Sequence, residues 1–206
     1  MTIDRTGVAA MLTSAANLLA ENADRLSEID SRFGDGDHGI TMGKIAKLLL
    51  ERVPQWGDES IKDFLDDLGT AIMEVKGGSA GPLYGTMIGG LGVELGDDEN
   101  ELDGDGVKRM FAGCLSEMED ITTAKVGDKT MMDALIPAVE AVQAAQGEPA
   151  DLLKAAAEAA EAGAKASEGF VSKFGRARSY KEQTIGTPDA GAVSTSLFIK
   201  GLAQGI

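Results

Sequence analysis

Three aspartates, Asp30, Asp35 and Asp37, fall within eight residues of one another. Gly34, Gly36 and Gly39 loosen the backbone between and behind them, and His38, the single histidine of the chain, follows the last carboxylate. Carboxylates gathered within several ångströms repel by about 1 to 4 kcal/mol per pair at surface-like dielectric. Their pKa values rise unless a cation intervenes. Oxygen-only ligands favour Mg2+ or Ca2+ over zinc, and Mg2+ completes its octahedron with water and phosphate oxygens. The stretch reads as half of a metal and phosphate site.

Familiar loop patterns do not account for it. A calcium hand beginning at Asp35 needs a carboxylate where the chain has Ala46, and one beginning at Asp30 needs it at Thr41. The glycine spacing of a dinucleotide-binding turn is matched letter for letter, but a helix precedes it and bare carboxylates would face the pyrophosphate. Gly39-Ile40-Thr41-Met42-Gly43-Lys44-Ile45 is one residue short of a P-loop and lacks its Ser or Thr. For the loop alone, the plain structural alternative is a solvated acidic turn between two helices.

The elements that must position these residues are helical. Hydrophobic residues make up 43% of the 206-residue chain and aromatic residues 4%, so the core is drawn from Ala, Leu, Ile, Val and Met, which suits close-packed helices. No stretch resembles a linker, and one domain spanning residues 1–206 is expected. A net charge of −15 argues against nucleic acid or an anionic membrane as partner. Cys114 falls on an apolar helical face, as a core thiol would. Residues 1–5 carry no apolar signal core and no apolar run approaches a membrane span, which leads us to expect a soluble cytoplasmic protein.

Helical spacing begins after Asp4, a natural N-cap, and runs through Val8, Met11, Leu12, Leu19, Leu26 and Ile29 to deliver Asp30 at the end of one long helix. A second helix covers residues 40–53 and is closed by Pro54. Asp37 and His38 sit where its N-terminal amides and dipole favour phosphate. Asp58 opens a third, striped by Ile61, Phe64, Leu65, Leu68 and Ile72. The turn Gly77-Gly78-Ser79-Ala80-Gly81 leads into a fourth that reaches about Leu95; its glycines permit close approach and leave amides for an anion, or serve only as a tight turn. The acidic residues 97–106 read as a solvated loop before a fifth helix ending near Ile121. Asp128 is the expected N-cap of a sixth, with Lys129 either a phosphate partner or a surface charge. An Ala-rich scaffold helix spans residues 148–168, an irregular segment carries Arg176 and Arg178, and a last helix runs from Ala190 to about Leu202. The expected fold is therefore all-α, eight helices without a convincing strand, with the breaks at 30–39, 77–81, 122–131 and 175–191 gathered at one end of an up-and-down bundle.

On these residues the chain resembles the L subunit, the nucleotide-binding subunit, of dihydroxyacetone kinases. Four motifs carry the resemblance: Gly34-Asp35-Gly36-Asp37-His38-Gly39, Gly77-Gly78-Ser79-Ala80-Gly81-Pro82-Leu83-Tyr84-Gly85, Gly127-Asp128-Lys129-Thr130-Met131, and Gly175-Arg176-Ala177 with Pro188-Asp189-Ala190-Gly191-Ala192. It implies an eight-helix antiparallel barrel with ADP or ATP across the loop end. By position, Asp30, Asp35 and Asp37 would bind two Mg2+ ions. His38, Gly39, Ile40, Thr41, Gly78, Ser79 and Ala80 would contact the nucleotide, Arg176 would neutralise phosphate, and Thr122, Met131, Asp189, Ala190 and Gly191 would enclose the remainder. The resemblance implies that Asp30, Asp35, Asp37 and Arg176 would carry the catalytic role, and the spacing to Asp189 favours Arg176 over Arg178.

The resemblance also implies partners. In the family a separate K subunit holds the ketose covalently through its own histidine, so His38 belongs to the nucleotide site. One branch keeps ADP bound and has it recharged by a phosphotransferase-system protein, the M subunit; it commonly shows Asn where this chain has Thr41. The ATP-exchanging branch often has Thr or Ser there, whereas His38 is more typical of the first, so donor and ketose both stay open. The non-enzymatic alternative is a helical regulatory or adaptor protein braced by Mg-nucleotide.

Overall fold

The computed structural model describes residues 2–206. Nine α-helices run through them: α1 Arg5–Glu21, α2 Ala23–Asp30, α3 His38–Arg52, α4 Ile61–Met73, α5 Ala80–Val93, α6 Gly104–Ile121, α7 Met132–Ala144, α8 Pro149–Ala166 and α9 Ala190–Gln204. From α4 to α9 each helix packs on the next in sequence, α9 returns to α1, and α3 closes the ring against α1 on one side and α4 and α5 on the other. The all-α barrel expected from the sequence is what forms, and none of its described helices is long and apolar enough to cross a membrane.

Small residues make the close packing possible. Ala15, Ala16, Ala134, Ala138, Ala156 and Ala160 are fully buried beside the leucines, isoleucines and methionines of one continuous core. At Gly201 of α9 a Cβ would stand 2.2 Å from the Ala15 Cα of α1. Those two backbones meet where only a missing side chain allows it.

The structure corrects the element count and several boundaries. The expected first helix is two, because the chain turns at Asn22 (φ −104°, ψ 7°), whose side chain donates to the Leu18 carbonyl at 2.9 Å. Ser60 rather than Asp58 caps α4, its hydroxyl accepting from the Asp63 amide at 3.1 Å. Residues 97–106 are not loop throughout: Glu101–Leu102 (β2) pairs antiparallel with Ile3–Asp4 (β1), Leu102 is buried, and Asp103 caps α6 through the Gly106 amide. The irregular 169–188 segment contains a 3-10 stretch, Ala177–Thr184, broken by a positive φ at Lys181.

Asp128 does not cap α7. Its carboxylate pairs with Lys173 at 2.6 Å and accepts from the Lys125 amide, and the turn is held by Asp133, which accepts from Gly127 and Thr130 amides at 2.6 Å each. Residues from the four breaks meet at one end of the barrel, and a cavity opens there.

Candidate functional site

The cavity has a volume of about 330 Å³, within the range of small-molecule pockets. Its acidic wall is the loop between α2 and α3. Asp30 ends α2 and organises the turn behind it: its carbonyl accepts from Gly34 at 2.7 Å and its carboxylate from the Gly36 amide at 2.8 Å. A Cβ at Gly34 would fall 2.3 Å from Asp30 Oδ1, so only glycine leaves the carboxylate its place. Gly36 turns with φ +76°, and the loop brings one oxygen each of Asp30, Asp35 and Asp37 within 4.8 Å of one another. Loss of solvent, then the charges of Asp35 and Asp30, push the Asp37 carboxyl up, with Arg176 pulling the other way. This is the signature of a site short of positive charge.

Arg176 reaches the triad from the far side of the chain, Nη1 to Asp35 Oδ2 at 2.5 Å. Two further contacts tie its segment to the acidic loop: Arg32 Nη1 donates to Thr187 Oγ1 at 3.3 Å, and the Phe33 and Tyr180 rings pack with centroids 5.1 Å apart and planes at 56°. Arg178 is exposed and lies outside the cavity lining. Of the two arginines, Arg176 is the one beside the carboxylates.

Opposite, His38 opens α3 with Nε2 2.8 Å from Ser194 Oγ of α9. Burial lowers its pKa, opposed by the Asp30 charge and the Ala190 carbonyl. Ser79, Ala80 and Gly78 line the wall from the α4 to α5 turn, where Gly77 and Gly78 take positive φ. A Cβ on Gly77 would sit 2.0 Å from Thr41 Oγ1, so the turn rests directly on Thr41.

The floor is held by Lys129, which is neither a surface charge nor in this structure a side chain extended toward solvent. It is 4% exposed with φ +61°, and its ammonium donates to the Ser167 and Thr187 carbonyls at 2.6 Å each. Beside it Asp189 caps α9 by accepting from Ala192 at 2.8 Å. Burial pushes the Asp189 carboxyl up to about 7 despite that amide, with Asp133 adding to the rise and Lys129 opposing it.

Asp30, Asp35, Asp37, His38, Gly78, Ser79, Ala80, Met131, Arg176, Asp189, Ala190 and Gly191 all line this one cavity. Gly39, Ile40, Thr41 and Thr122 do not. Gly39 lies against the start of α2, where a Cβ would be 1.8 Å from the Ala23 carbonyl oxygen; Thr41 is buried under the turn; Ile40 is 60% exposed. Thr122 closes a local turn by accepting from the Ala124 amide. Phe33, Leu83, Tyr84 and Phe174 belong to the lining without having stood out as site residues. The only signal for Phe33 was its place inside the acidic loop.

The DAK2 domain family model matches residues 32–204. The chain is 28% identical to the ADP-binding subunit DhaL of the PEP-dependent dihydroxyacetone kinase of Escherichia coli, over 98% of each chain. It is 34% identical to L-erythrulose kinase of Pectobacterium atrosepticum over 95% of its own length but only 34% of that protein's. It thus spans nearly all of the subunit relative and about a third of the longer kinase. The crystal structure of the dihydroxyacetone kinase of C. freundii in its native form superposes with a TM-score of 0.75 at 27% identity, covering 97% of this chain and 34% of that one. The same kinase in complex with AMP-PNP and Mg2+ gives 0.71 at 26% identity, again over 97% of this chain and 34% of that one. By the extent of that match, this chain belongs to the DAK2 domain family.

Proposed function

We propose that this chain is the nucleotide-binding L subunit of a dihydroxyacetone kinase, a single domain that holds ADP or ATP in the cavity and passes a phosphoryl group to dihydroxyacetone or a related ketose carried on a separate K subunit. The observation that carries the proposal is the triad of Asp30, Asp35 and Asp37, one oxygen each within 4.8 Å, with Arg176 at its edge. That donor set fits Mg2+: it is all oxygen, the Asp37 carboxyl is already raised by loss of solvent and by its acidic neighbours, and the neighbouring cavity has room for phosphates. We assign two Mg2+ ions to it. Asp30, Asp35 and Asp37 would hold the metal, which would supply positive charge to neutralise the phosphates of a nucleotide in the cavity.

The chain's own groups do the positioning. Asp30, Asp35 and Asp37 fix the cation end. Arg176, on a segment anchored by Phe33 and Arg32, supplies a cation for the transferring phosphoryl group. Ser79 and the amides opening α3 and α5 offer donors to phosphate oxygens, while Met131, Ala190 and Gly191 wall the remainder. Of the other residues that the resemblance brings to the nucleotide, Thr41 supports the Gly77 turn and Gly39 packs on the start of α2, while Ile40 and Thr122 lie outside the lining. Phosphoryl transfer asks for alignment and charge neutralisation, so no nucleophile is needed in this chain. The attacking oxygen is the ketose hydroxyl. The working assembly is with a K subunit in the cytoplasm.

The decisive experiment is to purify the protein in Mg2+ without added nucleotide, denature it and quantify released ADP and ATP by chromatography. Near one equivalent of ADP surviving purification identifies a resident coenzyme recharged by a phosphotransferase-system M subunit. An empty protein that binds added Mg-ATP identifies an ATP-exchanging kinase. Binding of neither, with metal present, overturns the proposal.

A further inference from the structure

The hydroxyl that meets His38 has few choices about its proton. Ser194 is fully buried on α9, and its Oγ lies 2.9 Å from the Ala190 carbonyl one turn back and 3.1 Å from that of Gly191. From α5, the buried Tyr84 hydroxyl donates into the same oxygen at 2.7 Å, with Thr195 Oγ1 at 3.1 Å on its other side. A serine hydroxyl has one proton and two lone pairs. With its proton turned to the helix carbonyls and one lone pair taken by Tyr84, the remaining lone pair accepts from His38 Nε2, 2.8 Å away. A histidine's tautomer and ring plane are set by such partners.

We propose that Ser194, itself fixed by Tyr84, is a positioning residue that holds His38 with hydrogen on Nε2 and presents Nδ1 to the ligand in the cavity. Three helices meet at this point: α3 contributes the imidazole, α9 the serine and α5 the tyrosine. The part played by a nucleotide rests on the function proposed above. The tautomer does not, since the bonds that set it lie within the chain.

His38 is the only histidine, so its two ring nitrogens can be read without assignment. In uniformly 15N-labelled, ligand-free protein at mildly alkaline pH, long-range 15N–1H correlation should show Nε2 as the hydrogen-bearing nitrogen and Nδ1 as the bare one. Ser194→Ala, which keeps good helix propensity, should convert this to an exchanging mixture of tautomers and weaken ADP binding about fivefold, the worth of one ordinary hydrogen bond. Tyr84→Phe should give a smaller change in the same direction. A wild-type ring with hydrogen on Nδ1, or an Nε2–H signal that Ser194→Ala leaves unaltered, overturns the proposal. A protein that keeps the Nε2–H ring but binds no Mg-nucleotide upholds it and refutes the kinase function alone.

Discussion

Arg176 Nη1 stands 2.5 Å from Asp35 Oδ2, an ion pair between residues 141 positions apart that puts a guanidinium on one of the three clustered carboxylates. The pair has two consequences of opposite sign. For a cation approaching the triad, Arg176 is a competitor already in place. For a nucleotide in the cavity, it is a source of positive charge. Arg176→Gln should therefore strengthen Mn2+ binding to the nucleotide-free protein, by up to about fivefold given the modest worth of an exposed ion pair. It should also lower kinase activity with the K subunit by about a hundredfold or more. Electron paramagnetic resonance of free Mn2+ reads the first and a coupled assay the second. Weaker metal binding in the variant would show that the ion pair supports the metal site instead of competing with it.

The three aspartates should not respond alike to truncation. Asp35 and Asp37 contribute their carboxylates to the cluster without holding the loop as Asp30 does, so Asp35→Ala and Asp37→Ala should abolish Mg-dependent nucleotide binding with the helical circular dichroism intact. Asp30 also accepts the Gly36 amide. Asp30→Ala should lose the binding and about 1 kcal/mol of stability besides. Isothermal titration of Mg-ADP beside urea unfolding separates the two losses, and undiminished kinase activity in any of the three refutes its metal assignment.

Lys129 links the floor of the cavity to two distant carbonyls. Lys129→Met takes the donor from the buried Thr187 carbonyl and leaves the Ser167 carbonyl with the Phe170 amide alone, a cost of about 1 to 3 kcal/mol. Lys129→Gly removes the same bonds but relieves the backbone, which sits at φ +61°. It should therefore be less damaging than Met by about 1 kcal/mol. Chemical denaturation of the two variants measures the difference, and equal losses would mean that the left-handed turn stores no strain.

How far the sequence discloses this site depends on the kind of contact. The helices were legible because their apolar spacing is local, as in the α4 stripe from Ile61 to Ile72. The triad was legible because all three carboxylates fall within eight residues of one another. What could not be read is contact across the barrel. Nothing local separates Lys129 on the surface from Lys129 beneath Thr187, or distinguishes a loop glycine from Gly39 pressed on Ala23. The break at Asn22 escaped for a related reason: apolar spacing continues through it, and the turn is held by one side-chain bond to Leu18. The Ser60 cap was hidden by Asp58, an equally good capping residue two positions earlier.

Asp189 makes stability depend on pH in an unusual direction. Its carboxyl is raised from an ordinary 3.8 to about 7 by burial, so the folded chain binds this proton more tightly than the unfolded chain does. The stabilisation from protonation is complete below the unfolded value, is withdrawn as pH rises from about 4 to about 7, and is absent above. Asn caps a helix about as well as Asp, so Asp189→Asn keeps the bond to the Ala192 amide while removing the titration. The variant and the wild type should melt together in acid. The variant should gain a growing advantage across the window and hold it constant above about pH 7. Differential scanning calorimetry of both proteins from pH 4 to 8 tests this. A wild type that gains stability relative to Asp189→Asn over the same range would mean that Lys129, at the cavity floor, holds Asp189 ionised, and the pair would then act as a buried ion pair instead of a lysine beside a neutral acid.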